Sequence, residues 1–256
     1  MNITRRAQLA VTAAISLSAI TPATAEEIKI ETPLGNIFLE LDPSAAPNTV
    51  QNFLNYVNDG DYANSFIHRN ATIANSNANA ILGGGYTLTD TGDISSLLPD
   101  DQATLISQGR SNYGLVGEVL TDAPIANEFS RSNLRGTIAM ARTSGLPDSA
   151  TNQWFINVTD NLGLDTLDGG FTVFGQVTSG MDVVDAIHGL DDFTIGSPSN
   201  PSSAFPLADV PLLTSALPPT IERDEVVTTR ISVVPEPTSA ALLTLGGLAL
   251  LRRRRA

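Results

Sequence analysis

The sequence predicts a mainly β protein, a closed antiparallel barrel with two α-helices covering its ends. Three observations lead there. About seven or eight short stretches have strand character, and turn-rich connections separate them. Only two stretches carry helical spacing, and no internal repeat is visible. Many short strands with few helices favour a closed antiparallel architecture over layered α/β folds.

Glu27–Leu41 reads as a hairpin: Ile28 and Ile30 alternate with Lys29 and Glu31, and Pro33-Leu34-Gly35-Asn36 supplies the turn. The first helix opens at Ala46-Pro47-Asn48-Thr49, with Val50, Phe53, Leu54 and Val57 on one stripe, and stops at Gly60. Tyr62–Arg69 is a short strand. Beyond an Asn/Ala/Ser-rich stretch, Gly83-Gly84-Gly85 signals close backbone approach or a bulge. A phosphate cradle is the alternative for the triplet, but no Lys-Ser/Thr follows and no helix begins there. Thr87–Ser111 is polar and turn-rich, and reads as an insertion or long loop. Phe171–Val177 is a strand, and Met181–Ile187 is the second helix, with Met181, Val184 and Ile187 on one stripe. Asp191–Pro219, rich in Pro, Ser and Asp, reads mostly as loop, and Glu222–Val233 as a last strand by its β-branched content.

The ends differ from the body. Residues 1–25 join Arg5-Arg6 to an apolar run and finish in Ala23-Thr24-Ala25, the layout of a secretory signal cleaved after Ala25. Residues 234–256 join Pro235-Glu236-Pro237 to the apolar run Ala240–Leu251 and four arginines, Arg252–Arg255. As a helix that run rises about 18 Å, short of a bilayer core of about 30 Å. The basic end follows the positive-inside bias. This tail resembles a bacterial PEP-CTERM sorting signal, which implies export, transient tethering and processing by an exosortase-type enzyme. The expected division is a signal peptide (1–25), one domain (26–233) and a sorting segment (234–256). Membrane contact is expected only through that last segment.

The whole chain has 14 basic and 27 acidic residues. Residues 26–251 hold all 27 acidic residues but 8 of the basic ones, so the net charge there is 8 − 27 = −19. Such a body repels nucleic acid and anionic membrane surfaces. The chain has no cysteine and two histidines, His68 and His188, which leaves no thiolate metal site and no all-histidine cluster.

Candidate chemistry centres on Asn127–Val158, with apolar runs at Gly136–Ala141 and Trp154–Val158. Gln153 and Phe155 lie two apart and share one strand face, and Trp154 points to the other. A polar group beside an aromatic on a rigid strand is a way to build a specific site.

Asn48–Phe53, Phe66–Arg69, Gly83–Tyr86, Arg135–Arg142, Gln153–Asn157, Phe171–Val177 and Gly180–Ile187 resemble, in that order, the blocks of cyclophilin-type peptidyl-prolyl isomerases. The likeness spans roughly residues 27–233. It implies an eight-stranded closed barrel, a peptide groove on its outer face, and proline-containing segments of exported proteins as substrates. The reaction needs no cofactor and no metal. By resemblance, Arg69 is the catalytic cation, Gln153 holds substrate backbone, and Phe155 and Leu167 line the proline pocket. Ala141, Arg142 and Phe171 complete the substrate-binding set. His68 is expected to be a structural hydrogen-bonding residue, because the reaction moves no proton.

Departures from the family pattern are local. Asn79, Ala80 and Leu82 stand where the family has an aromatic, a methionine and a glutamine, and Thr166 replaces an aromatic before Leu167. Two pocket walls are thinned, and an amide that would orient Arg69 is missing. Three functions follow: an exported isomerase, a peptide-binding module with weak or no catalysis, and a structural component of an extracellular matrix.

Overall fold

The computed structural model describes residues 26–72, 78–88, 116–195, 207–215 and 223–235. The expected signal peptide, most of the sorting segment and nearly all of the Thr87–Ser111 insertion lie outside these residues.

β1 (Glu27–Thr32) and β2 (Gly35–Leu41) form the expected hairpin, with Ile28 opposite Leu39 and Ile30 opposite Ile37. All four side chains are fully buried. Helix α1 (Pro47–Asp59) follows with Pro at its first turn, and Gly60 ends it in the left-handed conformation at φ 79°. No side chain of the helix itself caps its N-terminus. Glu128 does so from a distant loop: its carboxylate accepts from the Asn48 and Thr49 backbone N–H groups at 3.1 and 2.8 Å. A carboxylate there satisfies orphan donors and complements the helix dipole.

The remaining strands are β3 (Ser65–Phe66), β4 (Arg69–Ala71), β5 (Ala80–Gly83), β6 (Tyr86–Leu88), β7 (Val116–Glu118), β8 (Thr137–Met140), β9 (Trp154–Asn157), β10 (Val173–Ser179), β11 (Asp192–Ile195), β12 (Leu207–Pro211) and β13 (Thr228–Val233). Helix α2 (Met181–His188) lies between β10 and β11. Among the described residues, eleven strands form one antiparallel sheet in the order β4-β5-β9-β8-β10-β2-β1-β13-β3-β6-β7. The main apolar core gathers residues from β1, β2, β5, β8, β9, β10 and both helices, with Trp154, Phe53, Tyr56, Tyr62 and Phe174 as its largest buried side chains.

The expected closed eight-stranded barrel is therefore corrected to a curled antiparallel sheet. β3 and β4 are two halves of one extended segment, placed far apart in the strand order. The ladder breaks between them, where Ile67 N–H donates to Val227 O at 2.9 Å and His68 N–H to Leu82 O at 3.0 Å. Among the described residues, β4 pairs with β5 alone. Side chains hold its vicinity on the other side: the Asn70 amide donates to His188 O and to Asp192 Oδ1, both at 2.9 Å, and its oxygen meets His188 Nδ1.

Asp191–Pro219 also departs from the loop expectation, because β11 and β12 pair as a separate hairpin. Its pairing is irregular between Phe193 and Ile195, and Asp209 within β12 has φ 62°. No clean alternation was there to be read.

The glycine triplet is a case of close approach. A Cβ on Gly83 would lie 2.5 Å from the Trp154 ring, one on Gly84 2.6 Å from Asn152 O, and one on Gly85 2.8 Å from Gln153 Cδ.

Candidate active site

The site is built on one row of facing residues. Arg69 on β4 stands opposite Leu82 on β5, Leu82 opposite Phe155 on β9, Phe155 opposite Ala139 on β8, and Ala139 opposite Val173 on β10. Directly facing residues share a sheet face. Strand alternation then separates Phe155 from its neighbours: Trp154 and Ile156 enter the main core, while Phe155 joins a second apolar cluster.

That second cluster is the candidate pocket. Its buried members are Phe155, Leu164, Val173 and four alanines, Ala71, Ala78, Ala80 and Ala139; Leu82, Ala141 and Phe171 are partly buried against it. Four alanines give thin walls, as expected where Ala80 replaces a methionine. Asn79 does not fill the gap. Its backbone is tied to the 158–161 segment, where its carbonyl accepts from Val158 N–H and the Asn161 amide, both at 2.9 Å. Its own amide lies 3.5 Å from Thr159 Oγ1.

Arg69 is half-buried, and its Nε is buried with no hydrogen-bond partner. Leu82, directly opposite, is a hydrocarbon and cannot supply one. Beside Arg69, His68 is 4% exposed and meets the Tyr86 ring edge-on at 4.9 Å. Burial, then the Arg69 charge, push its pKa down to about 3, against the opposing pull of a hydrogen bond with the Gln153 side chain. The Phe66 carbonyl acts in the same raising direction, though His68 Nδ1 lacks a partner in hydrogen-bonding geometry. His68 is neutral at ordinary pH. Gln153 is thus placed over Gly85 and against His68, and its backbone carbonyl accepts from Ala141 N–H at 2.9 Å.

The opposite wall is aromatic and cationic. Phe171 meets Phe155 edge-on, with ring centroids 5.8 Å apart. The Arg142 guanidinium carbon lies 4.2 Å from the Phe171 centroid. Leu167, read from sequence as a pocket residue, is 43% exposed; it contributes its carbonyl, which accepts from Arg142 Nη2 at 2.9 Å. Leu164 is a buried member of the cluster, 7% exposed. The two leucines belong to separate 3₁₀ turns, Leu162–Asp165 and Leu167–Gly169, and Asp168 breaks the second with φ 48°. Their three-residue spacing gave no means of choosing between them.

A cleft of about 670 Å³ opens elsewhere, beside Glu40, Asp42, Arg131 and Gln176. It shares Val173 with the pocket cluster but is not lined by Arg69, Gln153, Phe155 or Phe171. The chemistry-bearing row is therefore separate from that cleft, apart from Val173. Among the described residues, no group of three or more His, Cys, Asp or Glu could hold a metal, and no helix is long and apolar enough to cross a membrane.

Comparison with known proteins identifies the family. Residues 27–210 match the family model described as cyclophilin type peptidyl-prolyl cis-trans isomerase/CLD. The chain is 35% identical over 206 residues to peptidyl-prolyl cis-trans isomerase A of Dickeya dadantii, covering 77% of this chain and 92% of that protein. It is 41% identical over 170 residues to the isomerase cyp18 of Streptomyces antibioticus, covering 64% and 83%. A crystal structure of a Cryptosporidium parvum cyclophilin-type isomerase superposes with a TM-score of 0.51 at 18% identity, covering 83% of this chain and 99% of that one. The same protein in the presence of the dipeptide Ala-Pro also gives 0.51, at 17% identity. Those two structures speak to the fold, and the sequence matches to the family. The chain belongs to the cyclophilin-type peptidyl-prolyl cis-trans isomerases.

Proposed function

We propose that this protein is an exported, transiently surface-tethered isomerase of X–Pro bonds in exported proteins, with Arg69 as its catalytic cation. The observation that carries the reading is the Arg69–Leu82–Phe155 row, a guanidinium with a buried, unpartnered Nε one strand removed from an apolar pocket.

Amide rotation faces a barrier of about 18–20 kcal/mol because resonance stiffens the bond. For X–Pro the two isomers differ by about 0.5–1 kcal/mol, so the barrier alone needs lowering. The pocket around Phe155 holds the proline ring and excludes water. The Arg69 fork, always charged, faces the proline nitrogen as it pyramidalises and favours the twisted, non-conjugated amide. Gln153 and the backbone at Ala141 hold the flanking chain. No proton moves, which suits a neutral His68 as a neighbour. Proline dipeptides, of the kind present with the Cryptosporidium relative, are the smallest ligands suited to such a groove.

Export and tethering are supported by residues 1–25 and 234–256 as sequence signals, with an exosortase-type enzyme as the processing partner. A second reading has one observation in its favour. Leu82 cannot orient Arg69, so the groove would bind proline peptides and catalyse weakly.

A proline-peptide isomerisation assay on residues 26–233, with and without Arg69→Ala, tests the catalytic reading. Turnover comparable to ordinary family members would exclude the weak-binder alternative, and an unchanged rate in the variant would sink the role of Arg69.

A further inference from the structure

Arg142 follows Ala141 at the groove, where an exposed arginine would be free to meet substrate. The structure uses it differently. Its side chain is 2% exposed. Nη2 donates to the Leu167 and Asp168 carbonyls at 2.9 and 3.2 Å. The cation faces the Phe171 ring, and its nearest carboxylate is Asp168 Oδ2, 3.8 Å from Nη1. Nε and Nη1 are buried without hydrogen-bond partners.

The backbone that Arg142 grips is strained. Asp168, Gly169 and Gly170 are three consecutive residues at positive φ, 48°, 87° and 84°. Gly170 is pressed against Phe129, whose ring would lie 2.4 Å from any Cβ there. Phe171 comes directly after this turn. Carbonyls in such a turn splay away from regular partners, and a flat fork with several donors can collect more than one of them. The same guanidinium presents its face to an aromatic, an interaction that strengthens when desolvated.

We infer that Arg142 is a positioning residue for the proline pocket: by gripping the 167–170 turn and stacking on Phe171, it fixes the Phe171 ring edge-on to Phe155. The Arg142–Phe171 pair thereby supplies the wall that Thr166, in place of an aromatic, does not. This rests on the isomerase reading of the groove. Arg142 acts through Phe171 and needs no contact with the substrate.

The test separates a pocket brace from a general fold stabiliser. Arg142→Met is expected to raise KM for a proline tetrapeptide about tenfold with kcat within about twofold. Phe171→Leu should do much the same, and the double variant should be no worse than the worse single, because both remove one unit. Asn127→Ala removes another hold on the same turn, since the Asn127 amide donates to the Gly169 and Gly170 carbonyls at 3.0 and 3.1 Å. It lowers thermal stability and should leave KM within about twofold. A KM unmoved by Arg142→Met, full additivity with Phe171→Leu, or an equal KM rise in Asn127→Ala would overturn the inference. If Arg142→Met does not fold, Arg142→Lys is read instead: it keeps the charge, loses the fork, and should give an intermediate KM, whereas a wild-type KM would overturn the inference. If the wild-type protein shows no turnover, the isomerase reading fails by itself. The dissociation constant of the same peptide, from NMR titration, then replaces KM in every comparison.

Discussion

Leu82 stands directly opposite Arg69 across the β4–β5 ladder, and Arg69 Nε is buried with no hydrogen-bond partner. The guanidinium proposed as the catalytic cation thus has no hydrogen-bond partner at Nε. An unpaired buried donor costs about 1–3 kcal/mol, which a substrate carbonyl or a restored side-chain amide would recover. Leu82→Gln is accordingly predicted to raise kcat/KM roughly 5- to 150-fold, since ~1.4 kcal/mol corresponds to a factor of ten. Steady-state kinetics on one proline peptide check it. No gain, in a folded variant, would show that Arg69 is already oriented.

His68 makes a prediction about acid stability. Its folded pKa of about 3 lies below its ordinary 6.5. Between those values the unfolded chain binds a proton that the folded chain does not, so stability rises with pH across that window. The contribution is fully present above pH 6.5 and is lost as pH falls toward 3, with a limiting slope of about 1.4 kcal/mol per pH unit. Denaturant melts at pH 4.5 and 7 should differ by more in the wild type than in His68→Gln. Isomerisation itself should be flat from pH 7 to 9, because the proposed step transfers no proton and arginine stays charged.

Gly84 makes a prediction about packing. It has φ +80°, and an added Cβ would meet Asn152 O at 2.6 Å, a backbone atom that cannot swing aside. Gly84→Ala should cost about 2–4 kcal/mol of stability, read as a lower denaturant midpoint with an unchanged slope. A midpoint matching the wild type would mean that the backbone yields there.

The tail makes a separate prediction about location. Deleting residues 234–256 should release the protein from the cell surface into the medium. Cell fractionation with an antibody against the domain measures this. An unchanged distribution would remove the tethering role of that segment.

Several of these features were legible in the sequence because they are local. The β1–β2 hairpin follows from period-two alternation, α1 from its apolar stripe and Gly60, and the opposite facings of Trp154 and Phe155 from their adjacency. The glycine triplet announced close approach, although not that Trp154 and Gln153 are what approaches. What stayed hidden depends on contacts between distant segments. Nothing near α1 marks Glu128 as its cap, 80 residues away from Asn48. Leu164 and Leu167 look equivalent until the Asp168 backbone separates them. Arg142 reads as a groove cation in sequence, and only the folded turn shows that its charge is spent on Phe171 and three carbonyls. The sheet failed to match a closed barrel at Ile67–His68, where backbone hydrogen bonds to Val227, just before β13, and to Leu82 on β5 replace a continuous ladder.

In the proposed mechanism Arg69 lowers the rotation barrier over a pocket built on Phe155. NMR exchange spectroscopy on a proline tetrapeptide reads cis–trans interconversion and binding in the same tube. Arg69→Ala should slow catalysed exchange by at least about 100-fold while changing the dissociation constant by less than about fivefold. Catalysed exchange in Arg69→Ala equal to that of the wild type, at matched occupancy, would contradict it.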